Sequence, residues 1–175
     1  GKVAALASDE QRRLESEFLR KVGGRERVAT IRTEMQTTME NSAGIYREQG
    51  LLLAGANKLR NLQERYRDLQ LDDHSRTFNT ELESALELGF MLDVAESMVQ
   101  CALHRTESRG AHQRTDYPAR DDEKFLAHSL VYRNPDGSTR VEYKPVAITR
   151  WPPGERVYGQ QTAKQAQPQE TRLTN

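Results

Sequence analysis

The sequence has one cysteine, Cys101. A lone thiol cannot close an internal disulfide, so the chain is not a stapled secreted scaffold and suits a reducing compartment. No stretch approaches the ~20 apolar residues that a membrane-crossing helix needs. Neither sign of charge is in excess: 26 Lys+Arg face 26 Asp+Glu, for a formal net charge of zero and a pI of about 7.1. Without a basic surplus there is no electrostatic footprint for phosphates, and no nucleic-acid partner is expected. Apolar residues are also scarce. At 35% of 175 residues, or roughly 41% with glycine, they fall below the ~45–50% usual for globular domains. Either part of the chain is unstructured, or some of its surface is buried against something beyond these residues. Neither Gly-x-x-x-x-Gly-Lys nor Gly-x-Gly-x-x-Gly occurs, so a dinucleotide site cannot be built from this chain alone. An initiator methionine is missing too. The start Gly1-Lys2-Val3 reads as processing or as a piece of a longer protein.

What is present is mostly helical periodicity. Residues 8–22 read as a helix, with Ser8 and Gln11 as a capping box and Leu14, Phe18 and Val22 on one face, broken by Gly23-Gly24. Residues 25–41 carry the stripe Val28, Ile31, Met35 and Met39. Residues 47–69 carry a heptad-like seam of Leu52, Leu59, Leu62, Tyr66 and Leu69 opposite a charged face. A polar connection over 71–78 leads to a fourth helix capped by Asn79 or Thr80, with Thr80 and Glu83 as a second capping box. From Leu86 to Leu103 this helix is apolar nearly all round, which predicts burial on all sides. Three short neighbours can hardly cover it, so a further partner surface is expected. Gly110 is its natural stop.

Residues 104–124 are dense in charge, with five cations cancelling five anions. Residues 125–133 and 138–148 then read as two strands. Asn134-Pro135-Asp136-Gly137 supplies the turn, with Pro presetting φ and Gly taking the left-handed position. Pro145 suggests an edge or a bulge. Residues 160–175 are Gln/Thr-rich and read as a disordered tail. The expected fold is mainly α: an antiparallel three- to four-helix bundle (1–110), a charged loop plus β-hairpin (111–159), and the tail (160–175).

Candidate chemistry is thin. Cys101 beside His104 could make a nucleophile, but a cysteine on an apolar helix face more often behaves as a small hydrophobe. Asp72, Asp73 and His74 are adjacent and point apart, which disfavours a metal site. Ser108, His112 and Asp116 resemble a triad only in spacing. The charged segment has two even readings: a solvated, self-cancelling loop, or an interlocked ion-pair network at a domain or subunit junction, built on Glu107, Ser108, Arg109, His112 and Arg114.

That segment also carries a resemblance. Arg105-Thr106-Glu107-Ser108-Arg109-Gly110-Ala111-His112-Gln113-Arg114, with Asp116-Tyr117-Pro118 and Arg120-Asp121-Asp122, resembles a stretch in flavoprotein subunits of fumarate reductase and succinate dehydrogenase. The likeness continues in Phe125-Leu126-Ala127-His128-Ser129-Leu130, Val141-Glu142-Tyr143-Lys144-Pro145-Val146 and Pro152-Pro153-Gly154-Glu155-Arg156-Val157-Tyr158. Upstream it includes Gly44-Ile45-Tyr46-Arg47, Leu62-Gln63-Glu64-Arg65-Tyr66 and Phe78-Asn79-Thr80-Glu81-Leu82, so it spans about residues 25–159. L-aspartate oxidase shares a Glu-Ser-Arg-Gly element and resembles the hairpin less.

The resemblance implies the C-terminal part of a longer chain, with FAD and capping domains upstream. It further implies an iron–sulfur subunit and membrane-anchor subunits as partners, in a bacterial complex at the cytoplasmic face of the inner membrane. No catalytic, cofactor-binding or metal residue carries over, and the expected role is structural. Self-association through the uncovered apolar helix is a further expectation. Gly55-Ala56-Asn57-Lys58-Leu59 looks like a substrate-binding motif of that family, but it falls inside the third helix with Lys in place of Arg, and reads as helix filler. The alternatives are a stand-alone helical assembly module, the C-terminal part of L-aspartate oxidase as a rival parent, and a small hydrolase using Ser108 and His112.

Overall fold

The computed structural model describes residues 1–151, 153 and 154. The expected tail and the Glu155–Tyr158 part of the family-like ending lie outside them. Two compact units are present, Gly1–Pro145 and Val146–Asn175. In the second, residues 146–149 form no regular element, and the Arg150 guanidinium lies over the Trp151 ring at 5.5 Å.

The first unit contains α1 (Lys2–Leu14), running into one π-helical turn (Glu15–Leu19), then α2 (Val28–Ala43), β1 (Tyr46–Arg47), α3 (Gln49–Tyr66) and α4 (Thr80–His104). After these come β2 (Gln113–Arg114), α5 (Asp122–Phe125), β3 (Ala127–Arg133) and β4 (Thr139–Pro145). The first helix starts six residues earlier than the sequence suggests. Ser8 is interior, so Ser8 and Gln11 form no capping box. The π-turn adds a residue to the helical repeat and turns Phe18 inward, where it is buried edge-on to Tyr66 at 6.2 Å. Val22, expected on that face, lies beyond the turn and is exposed.

The core is the antiparallel packing of α2, α3 and α4. Ile31 and Met35 of α2 meet Leu52, Leu59 and Leu62 of α3 and Leu88, Leu92 and Val99 of α4. Gly55 lets α2 and α3 approach closely: a Cβ there would stand 2.7 Å from Ser42 Cβ. The Gly-Ala-Asn-Lys-Leu stretch is thus a helix-contact surface. On its wet side Lys58 and Arg65 both reach Glu34, and Arg65 also grips Glu26. Asn79 is the cap of α4, its side chain accepting from the Leu82 amide at 2.7 Å, and Thr80 is the first helical residue.

Helix α4 is buried on one side only. Ala85, Leu88, Leu92, Ala95, Val99 and Ala102 are buried, while Phe90, Val94 and Met98, four residues apart, are exposed at 70%, 58% and 49%. Helices α2 and α3 and the hairpin strands that follow pack on this 25-residue helix and leave the Phe90–Val94–Met98 strip uncovered. It also ends at His104 rather than at Gly110. Arg105 turns extended, and Gly110, at φ +59, instead sits in a tight turn closed by paired Arg109–His112 backbone bonds.

Strand β1 pairs in parallel with β2, joining the α2–α3 link to the charged segment. The hairpin pairs β3 with β4 antiparallel, Ser129 facing Tyr143 and Val131 facing Val141. Its turn is as expected, with Gly137 at φ +84 and its amide bonded to the Asn134 carbonyl at 2.9 Å. The first expected strand starts later because Asp121 caps the short α5, and Pro145 closes β4 opposite Ala127. Among the described residues, no helix is long and apolar enough to cross a membrane.

Candidate functional site

The charged segment folds into a buried node at the C-terminal end of α4. That end leaves carbonyls with no partner along the helix. Arg114, 1% exposed, supplies one: its Nη1 donates to the Ala102, Leu103 and Arg105 carbonyls at 2.8, 3.3 and 3.4 Å. A cation here also meets the negative end of the helix dipole. The remaining guanidinium edge grips both Asp116 oxygens, Nε to Oδ1 at 2.7 Å and Nη2 to Oδ2 at 2.8 Å. Asp116 Oδ2 in turn accepts from the Gln49 amide at 3.0 Å, the first residue of α3. One bidentate ion pair therefore covers the C-terminal end of α4 and the N-terminal end of α3, each charge placed where the local dipole favours it. Arg114 holds the Asp116 carboxyl down to about 2.

Glu107 is the second centre. It is fully buried, and its carboxylate accepts four hydrogen bonds: from Arg105 Nη1 at 2.6 Å, Arg109 Nε at 2.8 Å, Arg109 Nη2 at 2.9 Å and the Asp121 amide at 2.8 Å. Burial alone would raise this carboxyl. The bonds from Arg109, the Asp121 amide and Arg105 outweigh it and hold the group below its ordinary value. Arg105 reaches on to the Phe125 and Ala127 carbonyls and the Ser129 hydroxyl, so it ties α4 to α5 and β3. Arg109 reaches Asp122 at 2.7 Å, and Arg120 pairs with the same carboxylate.

Ser108 and His112 complete the expected set. The Ser108 hydroxyl accepts from the Arg114 amide at 2.8 Å and donates to the Tyr117 carbonyl at 2.9 Å, closing the loop on itself. His112 Nδ1 accepts from Arg47 Nη1 at 2.9 Å, which puts the ring proton on Nε2, facing the Arg105 carbonyl at 3.0 Å. Burial lowers its pKa, and Arg47, Arg114 and Arg105 lower it further against the pull of that carbonyl. The structure brings Glu107, Ser108, Arg109, His112 and Arg114 together. It does not make a triad of Ser108, His112 and Asp116, because each is engaged with other groups.

The remaining candidates also resolve structurally. His104 Nδ1 bonds the Gln100 carbonyl one turn back, and burial raises the Cys101 thiol, the opposite of an activated nucleophile. Asp72, Asp73 and His74 turn to Arg27, the Ser75 amide and the Leu19 carbonyl respectively. Among the described residues, no group of three His, Cys, Asp or Glu side chains could hold a metal ion. A flavin does not fit them either. Their glycines of positive φ, Gly23, Gly110 and Gly137, lie at no strand-to-helix turn that could cradle a pyrophosphate. Sequence reasoning missed Arg47, Arg105 and Asp116 as members of the node. Their one local signal is the charge density after α4. Their partners lie 65 or more residues away for Arg47 and Asp116, beyond any periodicity.

The chain belongs to the family described as the C-terminal part of fumarate reductase flavoproteins, which matches residues 32–158. It is 59% identical over 157 residues to the fumarate reductase flavoprotein subunit of Mycobacterium tuberculosis, covering 90% of this chain and 27% of that one. The succinate dehydrogenase flavoprotein subunit of Rickettsia conorii is 39% identical over 147 residues, covering 80% and 25%. Among solved structures, an E. coli quinol fumarate reductase chain superposes with a TM-score of 0.81 at 45% identity, over 89% of this chain and 26% of that one. The chain thus spans about a quarter of the length of the relatives it matches.

Proposed function

We propose that this chain is the C-terminal helical brace of a fumarate reductase flavoprotein subunit. As a whole, that subunit interconverts fumarate and succinate on FAD and exchanges electrons with an iron–sulfur subunit, in a membrane-anchored complex at the cytoplasmic face of a bacterial inner membrane. The family match supports the parent class. The higher identity to a fumarate reductase subunit than to a succinate dehydrogenase subunit, 59% against 39%, favours the reductase.

The observation that carries the bracing role is the node itself. Glu107 and Arg114, 0% and 1% exposed, direct their polar atoms to the last carbonyls of α4, the Asp121 amide and their counter-ions, and those counter-ions carry the network on: Asp116 to the start of α3, Arg105 to α5 and β3. Charges committed in this way fix geometry and perform no chemistry. On this reading Glu107, Ser108, Arg109, His112 and Arg114 hold the surface against which the flavin-bearing part of the subunit is seated. In the full-length subunit, Arg109→Ala lowers flavin content or recovery of the assembled complex, while Arg12→Ala, in an exposed pair on α1, changes neither. Normal flavin content and normal complex recovery for Arg109→Ala refute the junction role.

A further inference from the structure

Among the described residues, the buried and half-buried arginines share a rule. Arg32, Arg65, Arg105, Arg109, Arg114 and Arg120 each pair with a carboxylate. Arg47 is half-buried and pairs with none: its Nε donates to the Gly44 carbonyl at 2.6 Å and its Nη1 to His112. Its cationic form is penalised by burial, with no anion to offset the cost. Evolved interiors avoid a partly desolvated charge without a counter-ion, because removing one partner of such a pair is strongly destabilising.

Arg47 also lines an open groove of about 580 Å³ between α4 and β3. Val94, Met98 and Val131 form its apolar wall, and Arg47, Arg105 and His112 form its polar end. Arg105 pairs with Glu107, the one carboxylate in the lining, Asp93, pairs with Arg133, and His112 is engaged by its two partners, so Arg47 is the cation in the groove with no carboxylate of its own. The exposed residues Phe90, Val94 and Met98 extend the apolar surface along α4. A few convergent polar groups on an apolar concavity are the ordinary form of a recognition site.

We propose that this groove seats a carboxylate-bearing segment of the longer subunit chain, an Asp or Glu side chain pairing with Arg47 while an apolar neighbour packs on Val94, Met98 and Val131. The inference rests on the reading of this chain as part of a longer subunit. Charge complementarity selects the acidic residue. The apolar wall requires a peptide side chain beside it, which a small free anion lacks. The relatives provide the segment, since this chain spans only 27% of the M. tuberculosis subunit.

The test uses the full-length subunit carrying Arg47→Lys, treated with a water-soluble carbodiimide, which joins an amine to a carboxylate only at ion-pair distance. The pair of Lys58 and Glu34, 2.6 Å apart, is the internal control. The expected product is an amide between position 47 and an Asp or Glu outside these 175 residues, found by peptide mass spectrometry. The proposal is overturned by the control cross-link alone, by a cross-link only to an acid within this chain or a second copy, or by a fumarate adduct on the new amine when fumarate is added. A second measurement needs no substitution. In hydroxyl-radical footprinting of the unmodified subunit, Met98, 49% exposed here, should oxidise as slowly as the buried Met35. Fast oxidation of Met98 overturns the occupied groove. An intact native mass of 20.0 kDa refutes the longer-subunit reading itself, whereas a longer subunit without the cross-link refutes the occupant alone.

Discussion

Glu107→Ala is the sharpest perturbation of the node. The substitution removes four acceptor contacts between 2.6 and 2.9 Å from a fully buried site. It leaves the Asp121 amide without its acceptor and two arginines, 13% and 28% exposed, without their shared anion. Removing one partner of a buried pair costs about 3–5 kcal/mol. Arg105 keeps its carbonyl partners and Arg109 keeps Asp122, which places the loss at the low end, about 3 kcal/mol. For a chain of this length each kcal/mol lowers Tm by roughly 2–4 °C, so the midpoint should fall by about 6–12 °C. Thermal unfolding followed by far-ultraviolet circular dichroism reads this directly. Glu107→Gln keeps the shape and an acceptor and should fall between the wild type and Glu107→Ala. Glu10→Ala, which breaks an exposed pair with Arg13, is the control and should leave the midpoint unmoved. If Glu107→Ala shifts the midpoint no more than the control, the node does not hold the fold and the bracing argument fails.

Three further outcomes test the rest of the architecture. Gly55→Ala places a methyl 2.7 Å from Ser42 Cβ and should destabilise by about 1–3 kcal/mol in urea titration, partly rescued by Ser42→Gly. Asn79→Ala removes the cap of α4 and should lower stability by about 1 kcal/mol, with hydrogen exchange rising at the Leu82 amide. Acid should destabilise the chain in two steps. His112 titrates below its ordinary 6.5 in the fold, so the unfolded chain binds its proton first and stability falls as pH drops through and below 6.5. Asp116, held to about 2, adds a second loss as pH falls from its ordinary 3.8 toward 2. In pH-dependent unfolding, His112→Gln should flatten the first step and leave the second; an unchanged first step would assign it elsewhere.

The core stripes of α2 and α3 were legible in the sequence because burial against a neighbour imposes a 3.6-residue period whatever that neighbour is. Ile31, Met35, Leu52, Leu59 and Leu62 all lie where the period puts them. The hairpin turn was equally legible, since Gly137 must adopt a left-handed φ that few residues tolerate. The start of α1 was not. Ser8 has the chemistry of a cap, but a cap is set by where the backbone leaves the helix, and the residues before Ser8 are good enough helix formers to continue it. The stop of α4 failed for a related reason: Gly110 permits a turn, whereas the turn itself is forced earlier by Arg114 taking the carbonyls of Ala102 and Leu103.

For the candidate site, the sequence by itself singled out part of the node and did not reach Arg47, Arg105 or Asp116. Glu107, Ser108, Arg109, His112 and Arg114 are neighbours in the chain, and their density next to an apolar helix was enough to single them out. It also determined the family, through motifs spread from Gly44 to Tyr158. Only the tertiary structure decided what those charges do. Solvated loop and interlocked network have the same composition, and the difference is whether partners distant in sequence exclude water. Gln49 meets Asp116 across 67 residues, and Arg47 meets His112 across 65. Burial strengthens each of these contacts and makes any unpaired group costly. That is why Glu107 is held by two arginines, and why Arg47, half-buried beside an open groove and paired with no carboxylate among the described residues, marks where the chain expects another surface.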